Sequence, residues 1–117
     1  MEIQKIYTND NGLVAAFAES RIGGRSENQD SYGWQENARG YLVTVCDGMG
    51  GGPGGKTAST IAVNEILRST AEASEDEEIP NILKKAIRNA NIAIIQAGST
   101  HPQLKGMGST ATVLWVT

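Results

Sequence analysis

The sequence predicts an α+β fold in which residues 1–47 form strands, residues 55–98 form helices and residues 108–117 return to a strand. In the first part, apolar and β-branched runs flank turn-forming Asn and Gly residues, which is typical of antiparallel hairpins. In the middle part, apolar residues recur every three or four positions, as they do in amphipathic helices. The length of 117 residues fits one compact domain.

Two β-hairpins are predicted in the first part of the chain. The first pairs residues 3–8 with residues 13–20 across an Asn-Gly turn, because Asn and Gly tolerate the positive φ that both central turn positions need. The second pairs residues 31–36 with residues 41–47 and turns at residues 37–40. The second strand of this hairpin is so apolar and β-branched that we expect it to be a buried central strand.

Two helices are predicted to follow, packed as an antiparallel pair on one sheet face. Residues 47–55 are expected to be irregular, because they are mostly glycine and contain a proline. The helices cover residues 56–73 and residues 80–97, the second beginning with a proline that suits a first turn. The acidic run at residues 75–78 is interpreted as an exposed segment that complements the helix dipole. Residues 109–117 are predicted to be a buried strand with neighbours on both sides.

The composition excludes several classes of function. The formal net charge of -3 and the pI near 5.1 argue against nucleic-acid binding, which needs a basic face. No apolar run reaches about 18 residues, and the N-terminus lacks a signal-peptide pattern, so we expect a cytoplasmic location and no membrane partner. Cys46, the single cysteine, cannot form an internal disulfide, and no Cys/His cluster indicates zinc.

Asp47 is the first candidate for chemistry, because it ends the most apolar strand. A carboxylate there is costly unless something compensates its charge. Mg²⁺ or Mn²⁺ would do so, since both prefer oxygen ligands, and the carbonyl of Gly48 can approach the same ion. Asp30 opens the strand that should pair with the one ending at Asp47, so both carboxylates are expected at one edge. The alternative is that Asp47-Gly48 is an ordinary turn and Asp30 a polar strand cap.

Arg25 lies five residues before Asp30, in a segment that can extend over this edge. A guanidinium binds two phosphate oxygens at once, so an arginine beside a divalent cation suggests a phosphoryl substrate. The alternative is an ordinary surface arginine, and Arg21 is a weaker candidate for the same role. The glycine-rich stretch matches neither a P-loop nor the dinucleotide-binding fingerprint.

Four short motifs occur in a specific order. They are Arg25-x-x-Asn28-Gln29-Asp30, Val45-Cys46-Asp47-Gly48-Met49-Gly50-Gly51, Gly55-x-x-Ala58-Ser59 and Gly106-Met107-Gly108-Ser109-Thr110-Ala111. Each is common by itself, but in this order and spacing the set resembles the metal-dependent type 2C Ser/Thr protein phosphatases, in the style of the bacterial branch. The resemblance extends from about residue 13 to residue 117.

The resemblance implies an α-β-β-α sandwich, in which helices flank two antiparallel sheets and two Mn²⁺ or Mg²⁺ ions lie at one edge. It implies that Asp47 bridges both ions, that Gly48 binds one through its carbonyl, and that Asp30 binds directly or through water. Arg25 would hold the substrate phosphate, which makes Arg25 and Asp47 the catalytic residues. The implied reaction is hydrolysis of phosphoserine and phosphothreonine on proteins by water, without a covalent enzyme intermediate. The segment at residues 106–110 would be a structural turn without direct chemistry.

Some features depart from the family pattern. Met49 stands where animal members carry a His, and Gly52 where bacterial members often do; the lone His101 is interpreted as a solvent histidine. The family's further metal-binding Asp residues come from a second half that would follow Thr117. We therefore expect residues 1–117 to be the N-terminal portion of a single phosphatase domain, with weak or no turnover alone. The alternative is a catalytically inactive phosphatase-like module that binds proteins, or a second copy of itself, through an exposed sheet edge.

Overall fold

A computed structural model of the chain describes residues 29–50 and 53–117, together with the backbone strands at residues 2–8 and 15–20. In chain order the elements are β1 (Glu2–Thr8), β2 (Ala15–Ser20), β3 (Asp30–Asn37), β4 (Gly40–Met49), α1 (Gly54–Ala71), α2 (Ile79–Thr100), a short 3₁₀ helix (Pro102–Leu104), β5 (Gly108–Ser109) and β6 (Thr112–Val116). This mixture of helices and antiparallel strands confirms the predicted α+β fold. Both helices form where they were predicted, with their ends shifted by a few residues.

The described strands pair antiparallel throughout. β1 pairs with β2, as the first predicted hairpin requires, while the turn at residues 9–14 lies outside the described residues. β4 is the centre of a four-stranded sheet, with β3 on one side and β5 and β6 on the other. The β3–β4 hairpin turns at residues 37–40 as predicted. There the Asn37 side-chain oxygen accepts a hydrogen bond from the Arg39 N–H at 2.9 Å, an Asx turn that helps to fix the register.

The core lies between β4 and the helices. β4 is central as predicted, but it is buried on one face only: Leu42, Thr44 and Cys46 are fully buried, whereas Val45 on the other face is 47% exposed. α1 packs on β3 and β4, while α2 makes its main contacts with α1 and with the 3₁₀ helix. The buried face of the helix pair consists of small and branched apolar residues, namely Ala58, Ala62, Val63, Ile66, Ile82, Ala86, Ala90 and Ile94. The alanines let the two helices approach closely.

The prediction that residues 47–55 are irregular is wrong at both ends of the stretch. β4 continues to Met49, and α1 begins at Gly54. The glycines at these two ends serve close packing between the strand and the helix. A Cβ on Gly48 would lie only 1.8 Å from the carbonyl oxygen of Gly55. Glycine is present here because the end of the strand touches the first turn of the helix, so its backbone stays regular despite its entropy cost.

The prediction for residues 109–117 also needs correction. The segment divides into β5 and β6, and β6 is half exposed instead of buried. Leu114 and Val116 are 62% and 47% exposed, and the register places them on the same sheet face as Val45, which is 47% exposed. The face of β4 and β6 that is turned away from α1 is therefore apolar and in contact with solvent. No helix in the described ranges is long and apolar enough to cross a lipid bilayer.

Candidate metal centre

Asp30 and Asp47 lie directly opposite each other, at the end of the β3–β4 hairpin farthest from its turn. The register runs unbroken from the pair Asn37 and Gly40 at the turn to this pair. Residues directly opposite each other in an antiparallel ladder project from the same face of the sheet. The two carboxylates therefore share one face and one edge, as the predicted strand pairing requires.

The hydrogen bonds around Asp30 and Asp47 show whether they form a hydrogen-bonded or a non-hydrogen-bonded pair of the antiparallel ladder. The Gly48 N–H donates to the carbonyl oxygen of Gln29 at 3.0 Å. The Asp47 N–H donates to Thr110 Oγ1 at 3.0 Å, on the other side of β4. Because backbone groups alternate in direction along a strand, Asp30 and Asp47 form a non-hydrogen-bonded pair, with Cα atoms about 4.5 Å apart. In such pairs the side chains approach most closely.

The two carboxylates fit a hard divalent cation. Like charges directly opposite each other destabilise a sheet, and a cation between them offsets that repulsion. Asp47 is exposed and Asp30 is half-buried, so an ion can reach both from solvent. Mg²⁺ and Mn²⁺ prefer oxygen ligands, and this edge offers carboxylate and carbonyl oxygens. Among residues 29–50 and 53–117, no three His, Cys, Asp or Glu side chains converge.

Thr110 holds the backbone of Asp47 in place. Its hydroxyl oxygen accepts the Asp47 N–H, and its own N–H donates to the Asp47 carbonyl oxygen at 2.9 Å. Both polar backbone atoms of Asp47 are thus bound by one residue from the turn between β5 and β6. The motif pattern predicts a structural turn at residues 106–110 and does not indicate that Thr110 contacts Asp47. The threonine hydroxyl is a sequence feature that could have indicated such a hydrogen bond. The residues around Thr110, however, do not indicate which group it binds.

Lys56 brings a positive charge to the same edge. Its ammonium group, on the first turn of α1, donates to the backbone carbonyl of Asp30. One residue along β3, the buried hydroxyls of Ser31 and Ser59 are 2.8 Å apart and hydrogen-bonded. α1 therefore contacts two successive residues at the start of β3 and holds that strand end in position. From the sequence, Lys56 is predicted only to begin a helix.

Three of the four predicted site residues lie in the described part of the chain. Asp30, Asp47 and Gly48 are together at this edge, with Gly48 buried beneath it. Arg25 lies outside the described residues, so its role as the phosphate-binding group stays a prediction, as do the metal-binding roles of the other three. His101 is exposed at the end of α2, where its Nδ1 is 2.9 Å from Thr100 Oγ1, which agrees with a solvent histidine.

Comparison with known proteins gives this edge a context. Residues 19–117 match the family model described as protein phosphatase 2C. The chain belongs to the protein phosphatase 2C family. This membership confirms the resemblance that rested on the four motifs, two of which contain Asp30 and Asp47.

Named relatives within the protein phosphatase 2C family are bacterial. The chain is 35% identical over 102 residues to the serine/threonine phosphatase stp of Listeria monocytogenes, an alignment that covers 84% of this chain and 40% of that protein. It is 33% identical over 109 residues to the serine/threonine protein phosphatase PstP of Mycobacterium tuberculosis, covering 91% of this chain and 18% of that protein. The chain thus spans two fifths or less of the length of these relatives.

Solved structures of protein phosphatase 2C relatives match the fold. The serine/threonine phosphatase of S. agalactiae superposes with a TM-score of 0.73 at 34% identity, over 85% of this chain and 42% of that one. The catalytic domain of PstP in complex with two manganese ions superposes with a TM-score of 0.69 at 29% identity, over 85% of this chain and 41% of that one. The elements described above therefore have the fold of the corresponding part of these phosphatase domains.

Proposed function

We propose that this chain carries part of the active site of a metal-dependent protein phosphatase that hydrolyses phosphoserine and phosphothreonine on proteins. The observation that supports this most is the opposed pair Asp30 and Asp47 at one sheet edge, in a chain of the protein phosphatase 2C family. Relatives named serine/threonine phosphatases support the reaction class, and the manganese complex of PstP supports a metal-dependent mechanism. The chain alone is proposed to turn over weakly or not at all, because two carboxylates bind a cation loosely.

The proposed chemistry assigns a task to each residue. Mn²⁺ or Mg²⁺, when bound, supplies Lewis acidity that lowers the pKa of water and neutralises phosphate charge. Asp47, Asp30 and the carbonyl oxygen of Gly48 would hold these ions, Asp30 directly or through water. Arg25 is proposed to bind two phosphate oxygens through its guanidinium and so to orient phosphorus for in-line attack by water. No protein nucleophile is required, and we propose a cytoplasmic setting with phosphoproteins as substrates.

A second candidate function is supported by the apolar face of the sheet. Val45, Leu114 and Val116 are about half exposed there, and exposed apolar patches mark interaction surfaces. This face suits a catalytically inactive module that binds a second copy of the chain or another protein. Light scattering after size exclusion tests it: a concentration-dependent dimer that Leu114→Lys abolishes supports the module, whereas a monomer at all concentrations argues against self-association.

The phosphatase proposal is tested with p-nitrophenyl phosphate. The 117-residue chain is compared with a chimera in which it replaces the matched part of the Listeria phosphatase. We expect the chimera to turn over with Mn²⁺ or Mg²⁺, to stop when EDTA is added, and to lose activity at least about 100-fold on Asp47→Asn. Asp76→Asn, in the exposed loop before α2, is the matched control and should leave turnover unchanged. A folded chimera with no metal-dependent turnover would contradict the proposal.

A further inference from the structure

We propose that Gln29 is a positioning residue for the metal-binding edge, an inference that rests on the proposed function. Gln29 directly precedes Asp30, the first residue of β3. It contacts three glycines. Gly48 lies near the end of β4, Gly50 directly follows β4, and Gly55 lies in the first turn of α1. We call this set of four residues the glycine clamp.

The main chain and the side chain of Gln29 form hydrogen bonds with different glycines. Its backbone carbonyl accepts the Gly48 N–H at 3.0 Å. Its side-chain Nε2 donates to the carbonyl oxygen of Gly50 at 3.1 Å. One residue therefore joins the start of β3 to the end of β4 and to the residue that follows it.

The carboxamide of Gln29 also packs on the bare Cα of Gly55. A Cβ on Gly55 would lie 2.4 Å from Gln29 Cδ and 2.5 Å from its Oε1. A Cβ on Gly48 would lie 1.8 Å from the Gly55 carbonyl oxygen and 2.9 Å from the Gln29 carbonyl oxygen. The strand end, the carboxamide and the first turn of α1 are thus packed with no room for side chains at these glycines.

The chemistry of the contact suits glutamine. The carboxamide supplies an N–H donor for the Gly50 carbonyl without adding a charge, whereas an ionised glutamate would present only acceptors to that carbonyl. Asparagine is shorter by one methylene and would withdraw the donor from Gly50.

The clamp matters because it is joined directly to two proposed metal ligands. Asp30 follows Gln29 in the chain, and Gly48 is hydrogen-bonded to it. If Gln29 moves relative to these glycines, the Asp30 carboxylate and the Gly48 carbonyl move as well. Residues that orient metal ligands typically change metal affinity 10–100-fold when they are replaced, so loss of this clamp should weaken binding by about tenfold.

The test replaces Gln29 by Met, which keeps the length of the side chain and removes its hydrogen-bonding groups. The matched control is Gln35→Met on the same strand, where the Gln35 Nε2 donates to Thr70 Oγ1 at 2.7 Å, far from the edge. Two quantities are measured on the full chain by NMR. One is hydrogen exchange of the Gly48 amide without metal, and the other is the Mn²⁺ concentration that broadens the Asp47 amide signal.

We expect Gln29→Met to accelerate exchange at Gly48 by about fivefold, because loss of the side-chain bond to Gly50 loosens the Gln29 backbone carbonyl that accepts the Gly48 N–H, and to raise the Mn²⁺ dissociation constant about tenfold. Gln35→Met should change neither. Unchanged exchange at Gly48, or faster exchange with unchanged Mn²⁺ affinity, would overturn the positioning role. Absence of Mn²⁺ broadening in the wild-type chain would instead show that the proposed metal site, and this inference with it, has failed.

A second variant reaches the same contact from the other side. Gly55→Ala inserts a methyl group where the Gln29 carboxamide lies, and so displaces it while Gln29 itself is kept. Gly54→Ala is the control, since its methyl would meet Met107 at 3.2 Å and not Gln29. Gly55→Ala should weaken Mn²⁺ binding as Gln29→Met does, and it decides the matter if Gln29→Met fails to fold. Equal Mn²⁺ affinity in the two alanine variants would contradict the clamp.

Discussion

Asp30 and Asp47 face each other across the β3–β4 ladder at the end opposite the hairpin turn, in a non-hydrogen-bonded position. This position brings two negative side chains as close as an antiparallel sheet allows. The arrangement opposes stability when no cation is bound and favours binding of a divalent ion. The proposed metal site can therefore be tested by comparing the stability of the chain with and without a divalent cation, without any assay of catalysis.

Asp47→Asn is expected to act in opposite directions on stability and on metal binding. The neutral amide removes the repulsion with Asp30, which is worth about 0.2–1 kcal/mol, so the metal-free chain should become slightly more stable. The stabilisation that Mn²⁺ gives the wild-type chain should disappear. Urea unfolding with and without Mn²⁺ measures both effects, and Asp76→Asn serves as an exposed control. If Mn²⁺ stabilises Asp47→Asn as much as the wild type, Asp47 is not a ligand.

Thr110→Val is expected to lower the free energy of unfolding by about 1 kcal/mol, because the Asp47 N–H loses its hydroxyl acceptor while the side-chain shape is kept. Thr110→Ser retains the oxygen and should restore most of the stability. Mn²⁺ affinity should fall in the valine variant and recover in the serine variant, since Asp47 is held through its backbone. Urea titrations and Mn²⁺ titrations of the two variants check this. A serine variant as weak as the valine variant would show that packing, not the hydroxyl, matters.

The sequence was sufficient to predict the pairing of Asp30 with Asp47. The turn at residues 37–40 and the alternation of the flanking strands leave one register, and that register determines which residues end up opposite each other. Such information is local, because every residue that sets it lies within the hairpin.

The sequence was not sufficient to predict the groups that support the pair. Thr110 lies 63 residues from Asp47, Lys56 lies 26 residues from Asp30, and Gln29 lies 21 residues from Gly50. The Thr110 and Lys56 contacts exist only once the β5–β6 turn and α1 have packed against the hairpin, and no local pattern encodes that packing. The Gln29 contact continues the hairpin beyond Asp30, but the sequence does not show that its side chain reaches Gly50. The glycine-rich stretch was mispredicted for the same reason, since its glycines serve a close approach between distant elements.

Alkaline pH is expected to destabilise the chain through Cys46. Burial raises the pKa of this thiol above its ordinary 9.0, against smaller lowering effects of the Thr44 and Ser109 side chains. Above the ordinary pKa the unfolded chain releases a proton that the folded chain keeps, so stability falls as pH rises toward the folded pKa. Below the ordinary pKa the contribution of the buried thiol is fully present.

Urea midpoints between about pH 7 and pH 10, measured under reducing conditions, check this dependence. Cys46→Val is the comparison, because it keeps an apolar group of similar size and has nothing to ionise there. All other ionisable groups are the same in both proteins, so the difference between the two curves isolates Cys46. We expect the valine variant to lose less stability over this range, and parallel curves would contradict the prediction.

Arg25→Ala is expected to raise KM for a phosphopeptide more than it lowers kcat, in the chimera proposed above. A guanidinium that binds the phosphate does so in the ground state as well as in the transition state, and the loss of uniform binding appears in KM. Loss of one charge-assisted bidentate contact should raise KM roughly tenfold or more. Arg88→Ala, on the exposed surface of α2, is the control and should change neither constant. A large fall in kcat with unchanged KM would mean that Arg25 acts only in the transition state, and equal constants in both variants would remove it from the site.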